Sequence, residues 1–195
     1  MLKGTKRASP KETITREYTG KERAWYKKPR EEPRRSSKDK GESYRSVFFG
    51  EPKPGETMAI HNHPSAFGLS IHTLPSVLDL KLALSAAPVV GGQIRSHAIA
   101  VQNEGQLAGY TVFNFTQKKE TPKKNLLAAD ETTKSERDWL KEYSNLLSNW
   151  NKQPFDSKRN FRRALELLKA MGVKIKFTPN KKEGYQFTGH SFAKA

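Results

Sequence analysis

The chain has 195 residues and a formal net charge of +16 at pH 7, because 36 Lys and Arg outnumber 20 Asp and Glu. It contains no cysteine, which excludes disulfides and thiolate catalysis and leaves His, Asp and Glu as side chains for a metal. No apolar run reaches the ~18 residues of a membrane span, and the start lacks a signal-peptide core. We therefore expect a soluble protein with no membrane partner, either cytoplasmic or delivered as a secreted effector.

The positive charge is concentrated at the two ends of the chain. Residues 1–47 carry 15 Lys and Arg against 7 Asp and Glu, residues 48–115 carry 3 against 4, and residues 116–195 carry 18 against 9. Basic arms of this kind attract nucleic acid through counterion release, or an acidic protein partner. The same charge can also serve solubility alone, so the pattern leaves these alternatives open.

The N-terminal part of the chain predicts a disordered start followed by strands and a loop. Residues 1–12 are polar and basic, a composition typical of disorder. Residues 13–25 carry spaced apolar side chains and predict a strand or a strand pair. Residues 27–41 lack aliphatic and aromatic side chains and predict a surface loop or linker, whereas the β-branched and aromatic residues 44–49 predict a strand.

The rest of the chain contains five predicted strands, at 57–61, 95–101, 107–115, 173–177 and 185–188. The second and third flank an Asn-Glu-Gly turn and predict a β-hairpin. A turn that begins with Asn and ends with Gly separates the last two, which predict a hairpin close to the C-terminal end.

Three helices are predicted between these strands. Ser76 and Asp79 have the spacing of a capping box, which opens a helix that ends near Pro88. Apolar stripes at helical spacing predict two amphipathic helices, at 135–149 and at 156–171.

One stretch, residues 60–80, holds three of the five histidines of the chain. His61 and His63 are two residues apart, so they can point to the same side of a strand. Together with Asp79 they have the composition of an open zinc site, which uses two neutral imidazoles, one carboxylate and a fourth position for water.

The sequence motifs of this stretch resemble those of the JAB/JAMM metalloprotein superfamily. In that family a histidine pair is followed by a serine and, three residues later, by an aspartate. The sequences His-Asn-His-Pro-Ser at 61–65 and Pro-Ser-Val-Leu-Asp at 75–79 are similar to those of RadC-like and bacterial JAB domains. Twelve residues separate the second histidine from the serine, more than the family usually has, and we expect the excess to loop out within 66–73.

The resemblance covers residues 13–115 and implies an α/β fold, with a JAB/JAMM-like mixed β-sheet and flanking helices. We expect residues 116–195 to form a basic helical C-terminal extension that ends in a β-hairpin. The resemblance also implies Zn²⁺ bound by His61, His63 and Asp79.

Two further roles follow from the same resemblance. Ser76 would donate a hydrogen bond to the oxyanion or to the zinc-bound water, and a glutamate of an earlier strand would act as general base. Glu17, which lies 44 residues before His61, is the preferred base, and Glu42 is the alternative. Glu51 and Glu56 lie in a turn and fit this role less well.

The other histidines have simpler interpretations. His72 lies in the inserted stretch and is either a solvent-exposed loop residue or a group that approaches the metal. His97 lies in a predicted strand and is expected to be packed, and His190 is expected to be exposed.

The sequence therefore predicts a zinc-dependent hydrolase of peptide or isopeptide bonds, acting on a protein or peptide substrate as the family implies. Bacterial members of the family include toxin or effector domains and phage proteins. The alternative is a non-catalytic nucleic-acid-associated protein that keeps the JAB fold, of phage or mobile-element type, which the basic arms favour.

Overall fold

The computed structural model describes residues 22–36, 51–63, 70–89, 94–103, 105–115, 134–152 and 157–195. Its strands are β1 (Ala24–Lys27), β2 (Arg34–Arg35), β3 (Met58–His63), β4 (Ser96–Asn103), β5 (Gln106–Phe115), β6 (Val173–Pro179), β7 (Tyr185–Phe187) and β8 (Phe192–Lys194). Its α-helices are α1 (Val77–Val89), α2 (Lys134–Lys152) and α3 (Ser157–Ala170), and two short 3-10 helices span Ser70–Thr73 and Lys181–Glu183.

The protein is a mixed α/β protein built on a six-stranded sheet, with the strand order β2-β1-β3-β4-β5-β6. β3 and β4 are parallel, and every other neighbouring pair is antiparallel. Parallel neighbours need a crossover connection, and α1 lies in that connection. The chain therefore leaves the carboxyl end of β3, where the histidines lie, and soon enters α1.

The structure confirms the predicted central strands. The strand expected at 57–61 is β3, which extends to His63, so both histidines of the pair lie within it. The hairpin expected at 95–101 and 107–115 is β4 and β5. The strands expected within 13–21 and at 44–49, and the disorder expected for residues 1–12, lie outside the described residues.

Two strand predictions need correction. The strand at 173–177 does not pair with the strand at 185–188, because β6 pairs with β5 and β7 pairs with β8. The loop expected at 27–41 contains the edge strand β2, which pairs with β1. Arg34 holds this edge in place, because its Nε and Nη2 donate hydrogen bonds of 2.8 and 2.9 Å to the carboxylate of Glu56.

The three predicted helices are present, and their apolar side chains pack on one face of the sheet. The largest core cluster joins side chains of α1, β4 and β5 with side chains of α2, α3 and β6. Phe161 of α3 also packs against Phe177 and Phe187, which stack with ring centroids 4.3 Å apart. Residues on both sides of position 115 thus contribute to one sheet and one core.

None of the helices in the described part of the chain has the length and apolar character needed to cross a bilayer.

Candidate metal centre

The strand β3 brings two buried imidazoles to one face of the sheet. His61 pairs with Ile99 of β4 on one side and with Ala24 of β1 on the other. Because residues two apart share a face of a strand, His63 follows His61 on the same side. Both histidines are buried, 4% and 9% exposed.

The start of α1 places the carboxylate of the site. The backbone N–H of Ser76 donates to Oδ2 of Asp79 at 2.6 Å, and the backbone N–H of Asp79 donates to Oγ of Ser76 at 3.1 Å. This reciprocal pair confirms the predicted capping box. It fixes the side chain of Asp79 in the first turn of the helix, where the helix dipole also favours a negative charge.

The three predicted ligands converge. Nε2 of His61 lies 3.0 Å from Nε2 of His63 and 3.1 Å from Oδ1 of Asp79, and Nε2 of His63 lies 3.4 Å from Oδ2 of Asp79. A tetrahedral zinc ion with bonds of about 2.0 Å holds neighbouring ligand atoms about 3.3 Å apart. These three residues therefore have the types and the spacing of a set that can hold a metal ion.

A backbone contact orients one of the imidazoles. Nδ1 of His63 lies 3.0 Å from the carbonyl oxygen of His72, in the short 3-10 helix that precedes α1. A carbonyl can only accept, so Nδ1 is the protonated nitrogen in this contact. That tautomer leaves the lone pair of Nε2 directed at the shared site, as metal-binding histidines require.

Charges within the site shift the pKa of two ligands in opposite directions. Burial by itself would raise the pKa of Asp79, but the charges and hydrogen bonds of His61 and His63 hold this pKa well below its usual range. Burial would lower the pKa of His63, but the hydrogen bond and charge of Asp79 raise it. Each of these two groups therefore favours the charged form of the other.

A glutamate that the sequence did not single out lies beside this group. Burial raises the pKa of Glu22, and the charges of His63 and His61 lower it while that of Asp79 raises it, so the carboxyl group lies within electrostatic range of all three. Glu22 and Ala24 are two residues apart, and Ala24 is the cross-strand partner of His61. Glu22 precedes β1, but the backbone N–H of Asn62 donates to the carbonyl oxygen of Arg23 at 3.2 Å, so the pairing with β3 continues past Ala24 and brings Glu22 toward His63.

Glu17 and Glu42, the two glutamates that the sequence favoured as base, lie outside the described residues, and their roles stay predictions. Glu22 was missed because its position depends on the pairing of β1 with β3. Its place two residues before Ala24 is visible in the sequence, but it points to the site only once the pairing of Ala24 with His61 is known. Glu56 is engaged by Arg34 instead of the histidines, and Glu51 is exposed.

The remaining histidines are not part of the ligand group. His72 is half-buried instead of solvent-exposed, and its ring centroid lies 6.4 Å from that of His63. Burial, helped by the charge of His63, lowers the pKa of His72 to about 4. His97 is packed as expected, stacked on Phe113, and burial followed by the charge of His61 lowers its pKa to about 4. His190 is partly exposed, near Thr188.

Comparisons of the chain with protein-family models, with curated proteins and with solved structures found no match.

Proposed function

We propose that the protein is a zinc-dependent hydrolase of peptide or isopeptide bonds. The observation that carries this proposal is the convergence of His61, His63 and Asp79, whose ligand atoms all lie within 4.8 Å of one another. The resemblance of the two sequence segments at 61–65 and 75–79 to JAB/JAMM proteins supports the same reaction class.

The composition of the group favours a catalytic zinc site over a structural one. Two imidazole nitrogens and one carboxylate oxygen suit zinc, and three protein ligands leave a fourth position open. Structural zinc sites usually close that position with a fourth side chain. The described residues offer His61, His63 and Asp79 as the ligand group.

Glu22 and Ser76 each have a chemical role in this proposal. A bound zinc ion would act as a Lewis acid, which lowers the pKa of water and polarises a carbonyl group. Glu22 accepts a proton from the attacking water and passes it to the leaving amine, and the rise of its pKa through burial favours proton uptake. Ser76 uses its Oγ to accept from Asp79, so its hydroxyl hydrogen remains able to stabilise a developing oxyanion.

Metal content tests the ligand set. Purified wild-type protein should carry one zinc ion per chain, and His61→Ala and Asp79→Ala should lose it, because each removes one of the three ligands that the described residues offer. His190→Ala changes a histidine near the C-terminal end and should retain the wild-type zinc content. Wild-type protein that binds no zinc after reconstitution would exclude a zinc hydrolase.

Activity on peptide and isopeptide substrates tests the base. Glu22→Gln should keep the zinc content and lose at least about 100-fold in kcat, since general-base catalysis contributes ~10²–10⁴-fold. The matched control is Glu31→Gln, an exposed carboxylate of the turn after β1, which should retain activity. Glu17→Gln and Glu42→Gln belong in the same series. Loss of activity in one of these two, with Glu22→Gln active, would transfer the role of base to that residue.

A second candidate function is binding of nucleic acid without catalysis, and the surface of residues 157–195 favours it. This segment carries ten Lys and Arg side chains, all exposed, against two acidic residues, Glu166 and Glu183. Arg163 forms ion pairs with Glu142 and Glu166, so the negative charge of Glu166 is already paired with an arginine. An exposed cationic surface of this kind attracts a polyanion.

The salt dependence of binding tests this second candidate. Lys158, Arg162 and Lys169 follow one another at helical spacing on the exposed side of α3. Their combined substitution by Ala should weaken binding to duplex DNA or RNA and should lower the slope of log K against log salt by about 3, because each phosphate contact contributes ~0.9. Wild-type protein that binds neither nucleic acid at low salt would rule this function out.

A further inference from the structure

The backbone of residues 71–75, which we name the bracing segment, lies between the two halves of the metal site. The 3-10 helix Ser70–Thr73 supplies its first part, and α1 begins at Val77, directly after Ser76. Residues 71–73 belong to the stretch in which the sequence predicts an insertion relative to JAB/JAMM proteins. Residues of the predicted insertion thus contribute to a segment that contacts the site.

Three elements of the fold donate hydrogen bonds to carbonyl oxygens of the bracing segment. The donors are Nδ1 of His63 in β3 to His72 at 3.0 Å, Oγ1 of Thr111 in β5 to Thr73 at 2.7 Å, and the hydroxyl of Tyr143 in α2 to Pro75 at 2.6 Å.

Both halves of the ligand group depend on this segment. His63 bonds to it directly. Asp79 is held by Ser76, the next residue after Pro75, through the capping box. A shift of the segment would therefore change the orientation of His63 and the position of Asp79 together.

The hydrogen bonds that Thr111 and Tyr143 donate to the bracing segment, which we call its two outer anchors, are buried away from water. Thr111 and Tyr143 are both 0% exposed, and Thr73 and Leu74 of the segment are each 1% exposed. Water cannot readily replace a hydrogen bond that is lost in such an environment, so a carbonyl without its donor costs free energy until the backbone moves. Each anchor therefore constrains the backbone.

We propose that Tyr143 and Thr111 are positioning residues of the metal centre, which act through the bracing segment to hold His63 and Asp79 at metal-binding distance. The helix α2 is on this view a structural part of the site, although it follows Asp79 by more than 50 residues. This inference rests on the proposed metal function. Its measurable consequence is metal affinity, because supporting residues around metal ligands typically change affinity by about 10- to 100-fold.

The test is a metal titration of the full chain after removal of metal by a chelator. Zn²⁺ affinity is measured by competition with a chromophoric chelator, and Co²⁺ serves as a second probe through its visible absorption. Tyr143→Phe should weaken Zn²⁺ binding by about 10- to 100-fold and change the Co²⁺ spectrum. Tyr185→Phe removes the hydroxyl of a buried tyrosine of β7, and should leave both unchanged.

Thr111→Val is the second variant, and it decides the question if Tyr143→Phe does not fold. It removes the anchor at Thr73 and should weaken Zn²⁺ binding in the same direction, while circular dichroism shows a folded protein. Folded variants with the affinity and the Co²⁺ spectrum of the wild type would overturn the positioning role and leave the proposed hydrolase intact. Wild-type protein without metal affinity would overturn both.

Discussion

His63 and Asp79 each favour the charged form of the other. The carboxylate raises the pKa of the imidazole, and the imidazoles lower the pKa of the carboxylate, each against the effect of burial. A metal ion needs the neutral imidazole, so binding has to displace a proton. Metal affinity should consequently fall as the pH falls through the raised pKa of His63.

His97 gives a prediction on stability at the residue scale. Its pKa falls from 6.5 to about 4 in the folded protein because it is buried. Between these values the unfolded chain binds a proton and the folded chain does not, so the free energy of unfolding falls as the pH is lowered. By pH 5 this histidine should account for a loss of about 2 kcal/mol.

Urea unfolding of metal-free protein at pH 7 and pH 5 measures this loss. His97→Phe keeps a ring against Phe113 and removes the titrating group. The decrease in unfolding free energy between the two pH values should be about 2 kcal/mol smaller in the variant. An equal decrease in both proteins would show that His97 is not held neutral by the fold.

Packing between strands and the C-terminal hairpin gives a prediction at the scale of elements. A Cβ at Gly109 of β5 would lie 2.7 Å from the carbonyl oxygen of Thr178 in β6 and 2.8 Å from the ring of Phe192 in β8. The oxygen belongs to a paired strand and cannot move far without breaking the β5–β6 ladder. The lack of a side chain at Gly109 thus allows three strands to meet.

Gly109→Ala should lower the free energy of unfolding by about 1–3 kcal/mol, the usual cost of overpacking. Urea unfolding measures the change. The double variant Gly109→Ala, Phe192→Leu separates the two contacts, because it removes the ring and leaves the carbonyl in place. Full recovery in the double variant would contradict a clash with the backbone of β6.

Local sequence patterns predicted the strands and helices better than they predicted which strands pair. The capping box at Ser76 and Asp79 and the strand that carries His61 are set by neighbouring residues, and both formed as expected. Glu22 could not be found in this way, because it reaches the site through the pairing of Ala24 with His61, two residues that lie far apart in the chain. A sequence without a known register gives no rule for such a contact.

At the scale of the molecule, the partner of β6 could not be predicted either, because it too depends on a pairing between distant parts of the chain. The alternation of apolar residues predicted the strand, but its partner β5 lies far back in the chain, with Phe113 opposite Ile175. The nearer strand at 185–188 was the expected partner because strands that follow one another in the chain usually pair. The convergence of His61, His63 and Asp79 was easier to predict, since their residue types, their order and the resemblance to a known motif all indicate a possible metal site.

The placement of β6, α2 and α3 leads to a prediction for the whole chain. A fragment of residues 1–115 would lose the strand that pairs with β5 and the helices that cover Leu80, Ile99 and Phe113, all at most 1% exposed in the full chain. Exposure of this apolar face removes the main driving force for folding. The fragment should show no cooperative thermal unfolding and no stoichiometric zinc binding.

Co-expression with residues 116–195 provides the control, because the second fragment restores the missing strand and helices and should rescue soluble, zinc-binding protein. Calorimetry and metal analysis of both samples measure the effect. Cooperative unfolding of residues 1–115 alone would mean that this fragment can bury its own apolar face, and that residues 116–195 are an appended extension. If the fragment does not fold, the C-terminal segment is part of the fold that builds the candidate metal centre, consistent with the hydrogen bond from Tyr143 to Pro75.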